Sequence, residues 1–341
     1  MGGPILINAR AAVRAEIGGV ERWAREMAGR LPALRPDAYA VARPRPRLAH
    51  RAGHAWEQAV LPALAARSGA ALVFSPATLA PLAWPRNAVL IHDAVVLSHP
   101  EWYSPGYVAW SRALLPAVAR RARQVITVSS FSRDEIAAEL GLDAAAIAVV
   151  PGGVDARFSP AAPAGAARAA LGLAAPYALT VATPGSRKNL SSLGLAARRL
   201  RAEAGLELVA AGAGRSYVRD GGLPSEIRAL GYVPEPLLPG LYAGASAFVL
   251  PSRHEGFGLP VIEAMASGVP VVAADRGALP ETCSGAALLA DPDDESALAE
   301  ALLRAAGPEA ARLRAAGRAR AAELTWARAA ASIDALLAAA A

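Results

Sequence analysis

The sequence predicts an α/β protein built from two doubly wound, Rossmann-like domains. Three observations lead there. The chain has 341 residues, more than one core usually takes and enough for two domains of about 150 to 170 residues. Short apolar runs alternate with amphipathic stretches along its whole length, the pattern of parallel strands joined by crossover helices. Glycines and polar residues gather just after the apolar runs, where open parallel sheets place their ligands.

In the first half the apolar runs predict strands at 5–8, 71–74, 88–92, 125–128 and 148–150. Helices are expected at 20–31 and 107–122, and a third opens at Ser132, whose Glu135 three residues on gives a capping-box pattern. The stretch 158–169 is mostly Pro, Ala, Gly and Ser without a strand pattern and reads as the linker. Beyond it strands are expected at 178–181, 206–210, 247–250 and 269–273. The domains are therefore placed at 1–160 and 170–324, and a closing helix at 325–341 returns to the first. Trp56, Trp84 and Trp102 fall in loops of the first half, where they either line a binding cleft or cover the core.

Composition narrows the class. Hydrophobic residues make up 54% and charged residues 19%, which excludes a disordered chain. The single cysteine, Cys283, forms no internal disulfide and argues against a structural zinc site. No signal peptide is expected, since the first apolar run is only 4–7 and no basic leader precedes it. The apolar region 70–97 is cut by Pro76, Pro81, Pro85, His92 and Asp93, so it does not read as a membrane span. The expected location is the cytoplasm. A net charge of +6 points to nucleic acid, an anionic membrane or a phosphate-rich ligand. The basic clusters Arg43, Arg45, Arg47 and Arg120, Arg121, Arg123 lack the interleaved aromatics of a nucleic-acid groove. That leaves the ligand, and peripheral contact with the inner face of the membrane through the basic first half.

The richest chemistry follows the expected strand 247–250. Pro251 to Gly258 leads into a helix at Pro260, a residue suited to the first helical position. Gly256 and Gly258 let backbone approach a ligand, and the free amides with the positive helix end attract an anion such as a diphosphate. Glu263, about one turn in, leans back toward the helix start, and Glu255 stands across the loop. Carboxylates accept well from sugar hydroxyls but are repelled by a diphosphate, so cations are needed nearby. Arg187 and Lys188, after the first strand of the second half, are the best source. Lys188 is the only lysine in the chain, and a compact ammonium suits phosphate oxygens. Asp291, Asp293 and Asp294 precede a helical stretch and read as capping rather than as a metal cluster. Gly212-Ala213-Gly214 is too short for a dinucleotide fingerprint and reads as a tight turn.

The run Glu255-Gly256-Phe257-Gly258-Leu259-Pro260-Val261-Ile262-Glu263, continuing to Val272, resembles the signature of retaining family 4 glycosyltransferases (glycosyl transferases group 1), in particular bacterial mannosyltransferases. Similar pieces occur in order at Gly18-Gly19-Val20-Glu21-Arg22, Ile91-His92-Asp93, Val128-Ser129-Ser130-Phe131-Ser132, Pro151-Gly152-Gly153-Val154-Asp155 and Arg187-Lys188-Asn189. The resemblance implies the GT-B fold, two such domains across a cleft, with the acceptor mainly on the first and a nucleotide diphosphate sugar on the second. By likeness Glu255 holds the donor sugar, Glu263 the ribose, and the amides of Gly256, Phe257, Gly258 and Leu259 the sugar and distal phosphate. Arg187 and Lys188 neutralise the diphosphate, His92 meets the transferred sugar, Gly18 and Gly19 close over the donor, and Val233 meets the base through main-chain groups. The implied reaction retains anomeric configuration, requires no metal or cofactor, and passes a hexose, mannose first, to a saccharide or lipid-linked acceptor. Ala182, Gly185 and Ser186 depart from the pattern and leave the shape of that loop open. The rival readings are a nucleotide-sugar epimerase of the same fold and a non-catalytic relative that binds nucleotide sugars.

Overall fold

A computed structural model describes residues 3–46, 49, 53–214 and 217–341; Arg47 of the first basic cluster lies outside them. The chain divides into two compact units. Unit 1 takes Met1–Ser98, Gly106–Gly152 and Trp326–Ala341; unit 2 takes His99–Pro105 and Gly153–Thr325.

Unit 1 holds a parallel sheet of β1 (Ile5–Asn8), β2 (Tyr39–Ala42), β3 (Leu72–Ser75), β4 (Asn87–Leu90), β5 (Gln124–Thr127) and β6 (Ile147–Val149) in the order β2-β1-β3-β4-β5-β6. The strands β1, β3 and β4 are buried along their whole length, as expected where helices cover both faces. Its helices include α1 (Gly19–Leu34), α2 (Leu61–Arg67), α3 (Val95–Ser98), α4 (Pro105–Arg121, whose first residue lies in unit 2) and α5 (Ser130–Leu140). The closing helix, Trp326–Ala340, packs on α1. Trp326 meets Trp23 edge to face, centroids 5.0 Å apart, and both rings are buried. At the other end Asp334 takes Arg35 at 2.6 Å and the Tyr39 hydroxyl, so an aromatic pair and a charged cluster fix the helix along its length.

Unit 2 holds β7 (Tyr177–Val181), β8 (Glu207–Ala211), β9 (Arg228–Gly231), β10 (Ala247–Leu250), β11 (Val271–Ala274) and β12 (Leu288–Ala290), all parallel, in the order β12-β11-β10-β7-β8-β9. The order reverses between β7 and β10, and between β1 and β3 in unit 1. At such switch points the loops part and leave a crevice past the strand ends. No helix among the described residues is long and apolar enough to cross a membrane.

Several expectations change. The stretch 158–169 is no linker: Phe158 is buried against Tyr242 at 5.6 Å, and the alanines form α6 (Ala164–Ala170). One large aromatic anchor and good helix formers outweigh the flanking prolines. The units change instead at Gly152/Gly153 and Thr325/Trp326, and the Val154 amide donates to the Leu324 carbonyl at 3.0 Å beside both crossings. Ser129, not Ser132, caps α5, accepting from the Ser132 amide at 3.0 Å. Glu135 then reaches away from that cap, accepting from the Ala94 amide at 3.0 Å and the Ser98 hydroxyl at 2.8 Å. Trp56 is a core residue with Trp84 packed against its cluster, whereas Trp102 belongs to unit 2.

Candidate active site of unit 2

The loops after β7 and β10 meet at the switch point of unit 2. After β7 the chain bends at Pro184 and Gly185, turns over Ser186–Lys188, and stops at Asn189 in the left-handed region (φ 53°). The Asn189 side chain, buried, donates to the Pro292 carbonyl at 2.6 Å and fixes that stop. The turn is tied to the other loop by the Arg253 amide, which donates to the Arg187 carbonyl at 2.9 Å.

Both cations point at Glu255. The Lys188 ammonium bonds Glu255 Oε1, and the Arg187 guanidinium reaches the His254 carbonyl at 3.0 Å and Glu255 Oε2 at 3.5 Å. The Ser252 hydroxyl adds a 2.8 Å bond to Oε1. Glu255 is buried. Removal from water alone would raise its pKa, but Lys188 first, then Arg187 and the hydrogen bonds, overcome this and hold it at about 2. The backbone is held as firmly. The Glu255 carbonyl accepts from the Ala278 amide at 2.9 Å, and a Cβ at Gly277 (φ 62°) would sit 2.8 Å from the Glu255 nitrogen. Only glycine allows that approach.

Gly256 and Phe257 carry the chain to Gly258, whose φ of 95° turns it into α7 (Leu259–Ala266). Pro260 is the second helical residue, one later than expected. The Phe257 carbonyl takes the Thr282 hydroxyl at 2.6 Å, so the loop is braced from beneath. Phe257, Leu259 and Glu263 are buried, and Glu263 stands just over one turn into α7. Of the acidic trio, Asp294 caps the next helix by accepting from the Ala297 amide at 2.9 Å. Asp291 pairs with Arg276 at 3.2 Å and Asp293 with Arg253 at 2.8 Å, and no metal-holding group occurs among the described residues. Past β7, β8 and β9 a cavity of about 190 Å³ lies between Pro184, Gly212, Asp220, Leu223 and Gly231. The Val233 side chain is buried in the core of this unit.

The structure thus brings together Arg187, Lys188, Glu255 and the loop Gly256–Leu259. Sequence reasoning passed over Ser252, Asn189 and Gly277 as individuals. Ser252 alone had a local signal, three residues before Glu255 in the same polar run.

The remaining candidates lie in unit 1 at its own switch point. Gly18 is extended (φ −109°), and its amide donates to Glu21 at 3.0 Å as α1 begins at Gly19. His92 follows β4 by two residues and makes a 3.1 Å bond with the Pro76 carbonyl. Its ring meets Trp23 at 6.1 Å. Desolvation holds the imidazole below its ordinary range, against the opposing pull of the Pro76 carbonyl, Asp93 and Glu21. His92 and the start of α1 are therefore neighbours.

Known proteins place the chain. The family profile "Glycosyl transferases group 1" matches residues 175–307, and that of "Glycosyltransferase Family 4" matches residues 45–158. The chain is 34% identical over 232 residues to O-antigen chain mannosyltransferase B of Escherichia coli, covering 64% of this chain and 61% of that protein. It is 32% identical over 216 residues to MMP alpha-(1->4)-mannosyltransferase of Mycolicibacterium hassiacum, covering 59% and 49%. It therefore spans roughly half to three-fifths of the length of these curated relatives. Among solved structures, sucrose-phosphate synthase from Thermosynechococcus elongatus superposes with a TM-score of 0.76 at 23% identity, covering 99% of this chain and all of that one. Anabaena HepE, solved with UDP-glucose, gives 0.74 at 19% identity, covering 99% and 100%. These likenesses give the fold, of the GT-B type, and the family models of group 1 and family 4 glycosyltransferases match the second and first halves of the chain.

Proposed function

We propose that this protein is a retaining glycosyltransferase that moves a hexose, mannose first, from a nucleotide diphosphate sugar to a saccharide or lipid-linked acceptor. The carrying observation is the convergence of Arg187 and Lys188 on buried Glu255 at the opening of α7. Two cations and a helix start suit a diphosphate, and a carboxylate among them suits the hydroxyls of the attached sugar. The cavity past β7, β8 and β9 suits the base, and mannose follows from the likeness to mannosyltransferases.

In this scheme the bond from the sugar's anomeric carbon to the diphosphate oxygen breaks while Lys188, Arg187 and the amides of the loop stabilise the departing charge. The acceptor hydroxyl attacks on the same face, and its proton passes to the leaving phosphate oxygen. The scheme calls for no metal. The test is incubation with GDP-mannose and, separately, UDP-glucose, with and without a saccharide acceptor. Transfer with retention, dependent on the acceptor, is expected. Isomerised sugar from donor alone would identify an epimerase, and nucleotide binding without turnover would identify a non-catalytic relative.

The acceptor side is proposed to work at an anionic bilayer on the cytoplasmic face, through unit 1. Its sequence holds 18 arginines against 11 acidic residues, whereas unit 2 has 17 basic and 18 acidic residues. Charge alone gives no surface, but the helical stretch 53–67 leaves Val60 at 43% and Leu64 at 38% exposure, with Ala55, Ala59 and Ala63 exposed beside them. The one carboxylate of that stretch, Glu57, is turned fully inward. An apolar face on a basic body is the make-up of an interfacial helix. In co-sedimentation with phosphatidylglycerol-containing vesicles, V60D/L64D should lose at least tenfold in binding. L289D, at the comparably exposed Leu289 of unit 2, should bind as wild type. Equal binding by all three would refute this surface.

A further inference from the structure

The segment His99–Pro105 lies in sequence between two stretches of unit 1, yet it packs in unit 2. It is fastened there by backbone. Tyr103 bridges Val218 in antiparallel fashion, the Ser104 amide donates to the Tyr217 carbonyl at 3.1 Å, and the Arg219 amide donates to the Trp102 carbonyl at 3.0 Å. The far side of 217–221 carries the cation-bearing turn. The Ser186 amide donates to the Arg219 carbonyl at 3.1 Å, and the Lys188 amide closes the turn on the Gly185 carbonyl at 2.8 Å. Packing between these layers leaves no slack: a Cβ at Gly185 would lie 2.5 Å from Val218 Cγ1, and one at Gly221 2.8 Å from the Gly185 carbonyl carbon.

The same segment touches the site from a second side. His99 stacks on Trp102 at 4.2 Å, and its ring lies 6.1 Å from that of His254, whose carbonyl holds Arg187. Nothing in the reaction scheme requires these residues. Resting on the proposed donor role of Arg187 and Lys188, we infer that His99–Pro105 is a strap that positions those two cations for the diphosphate, acting through Tyr217–Arg219. Its Ser98 neighbour is held by Glu135, which also holds Ala94 two residues past His92. The strap thereby begins at the clamp that fixes the His92 loop.

Ser104→Pro tests it, because it deletes the donated amide while Tyr103 is already extended (φ −125°, ψ 164°), as a residue before proline must be. Ser104→Ala keeps the amide and serves as the control. In hydrogen exchange without ligand, S104P should speed exchange of the Ser186 and Lys188 amides at least tenfold, and S104A should not. In calorimetry with GDP and UDP, S104P should bind about tenfold more weakly. G185A should do likewise, and V218A, by removing the methyl it strikes, should restore G185A. Unchanged exchange in S104P, or no rescue by V218A, would overturn the strap. If wild type binds neither nucleotide while S104P still frees the turn, the donor reading fails and the strap's hold on the turn stands.

Discussion

Lys188→Ala is expected to weaken binding of GDP or UDP by about 2–4 kcal/mol, roughly thirtyfold to several hundredfold. Two losses add. One is the charge-assisted contact with phosphate oxygens. The other is the partner that keeps Glu255 neutralised, since the carboxylate then faces the diphosphate with only Arg187 beside it. Arg43→Ala removes an equal charge from unit 1, beside a cavity also lined by Arg25, and should leave the affinity unchanged. Calorimetry giving equal, small effects for both would sink the phosphate assignment. The substitution also separates site from charge, because a nonspecific electrostatic pull on nucleotides would respond to either residue.

Glu255→Gln is expected to split binding from turnover. Neutralising the carboxylate releases both cations for the diphosphate, so GDP affinity should hold or rise. Transfer should fall by about 10²–10³ in kcat, the scale set by losing one preorganised polar contact at the reacting centre. A parallel fall in affinity and kcat would remove Glu255 from its assigned place. Stability should change in a pH-dependent way. The folded-state pKa of Glu255 is depressed from 4.5 to about 2, so its charge stabilises the fold above about pH 4.5. That contribution is lost as pH falls through the window down to about 2. The span corresponds to about 3 kcal/mol at neutral pH. Urea unfolding at pH 7 and pH 3 should therefore show a large gap between wild type and E255Q that narrows in acid.

Much of this was legible in the residues. The interior strands β1, β3, β4, β7, β10 and β11 are continuous apolar runs because both faces are covered, and runs of that kind stand out against polar loops. The three missed strands, β2, β9 and β12, are edges of their sheets. Arg228–Gly231 alternates between half-buried and exposed and carries little apolar signal, and Leu288–Ala290 is apolar but only three residues long, so both passed for loops. The loop after β10 was readable because Gly256, Gly258, Pro260 and Glu263 are spaced by local geometry. Glu135 and Trp102 were not, since their partners lie far along the chain. A capping-box spacing at Ser132 and Glu135 is satisfied equally well by a carboxylate that bonds elsewhere, and only tertiary structure decides which donor wins.

Trp326 against Trp23 has a consequence for synthesis. Trp23 is made early in the first unit, but the ring that packs on it arrives some three hundred residues later. At about 5–20 residues per second that interval is on the order of 15–60 s. For that time α1 holds an uncovered indole, and Tyr39 and Arg35 lack the carboxylate of Asp334. Unit 2, whose residues are all made by Thr325, can reach its native packing earlier. The order of maturation therefore runs against the order of translation: the nascent chain finishes its second unit before it can seal its first.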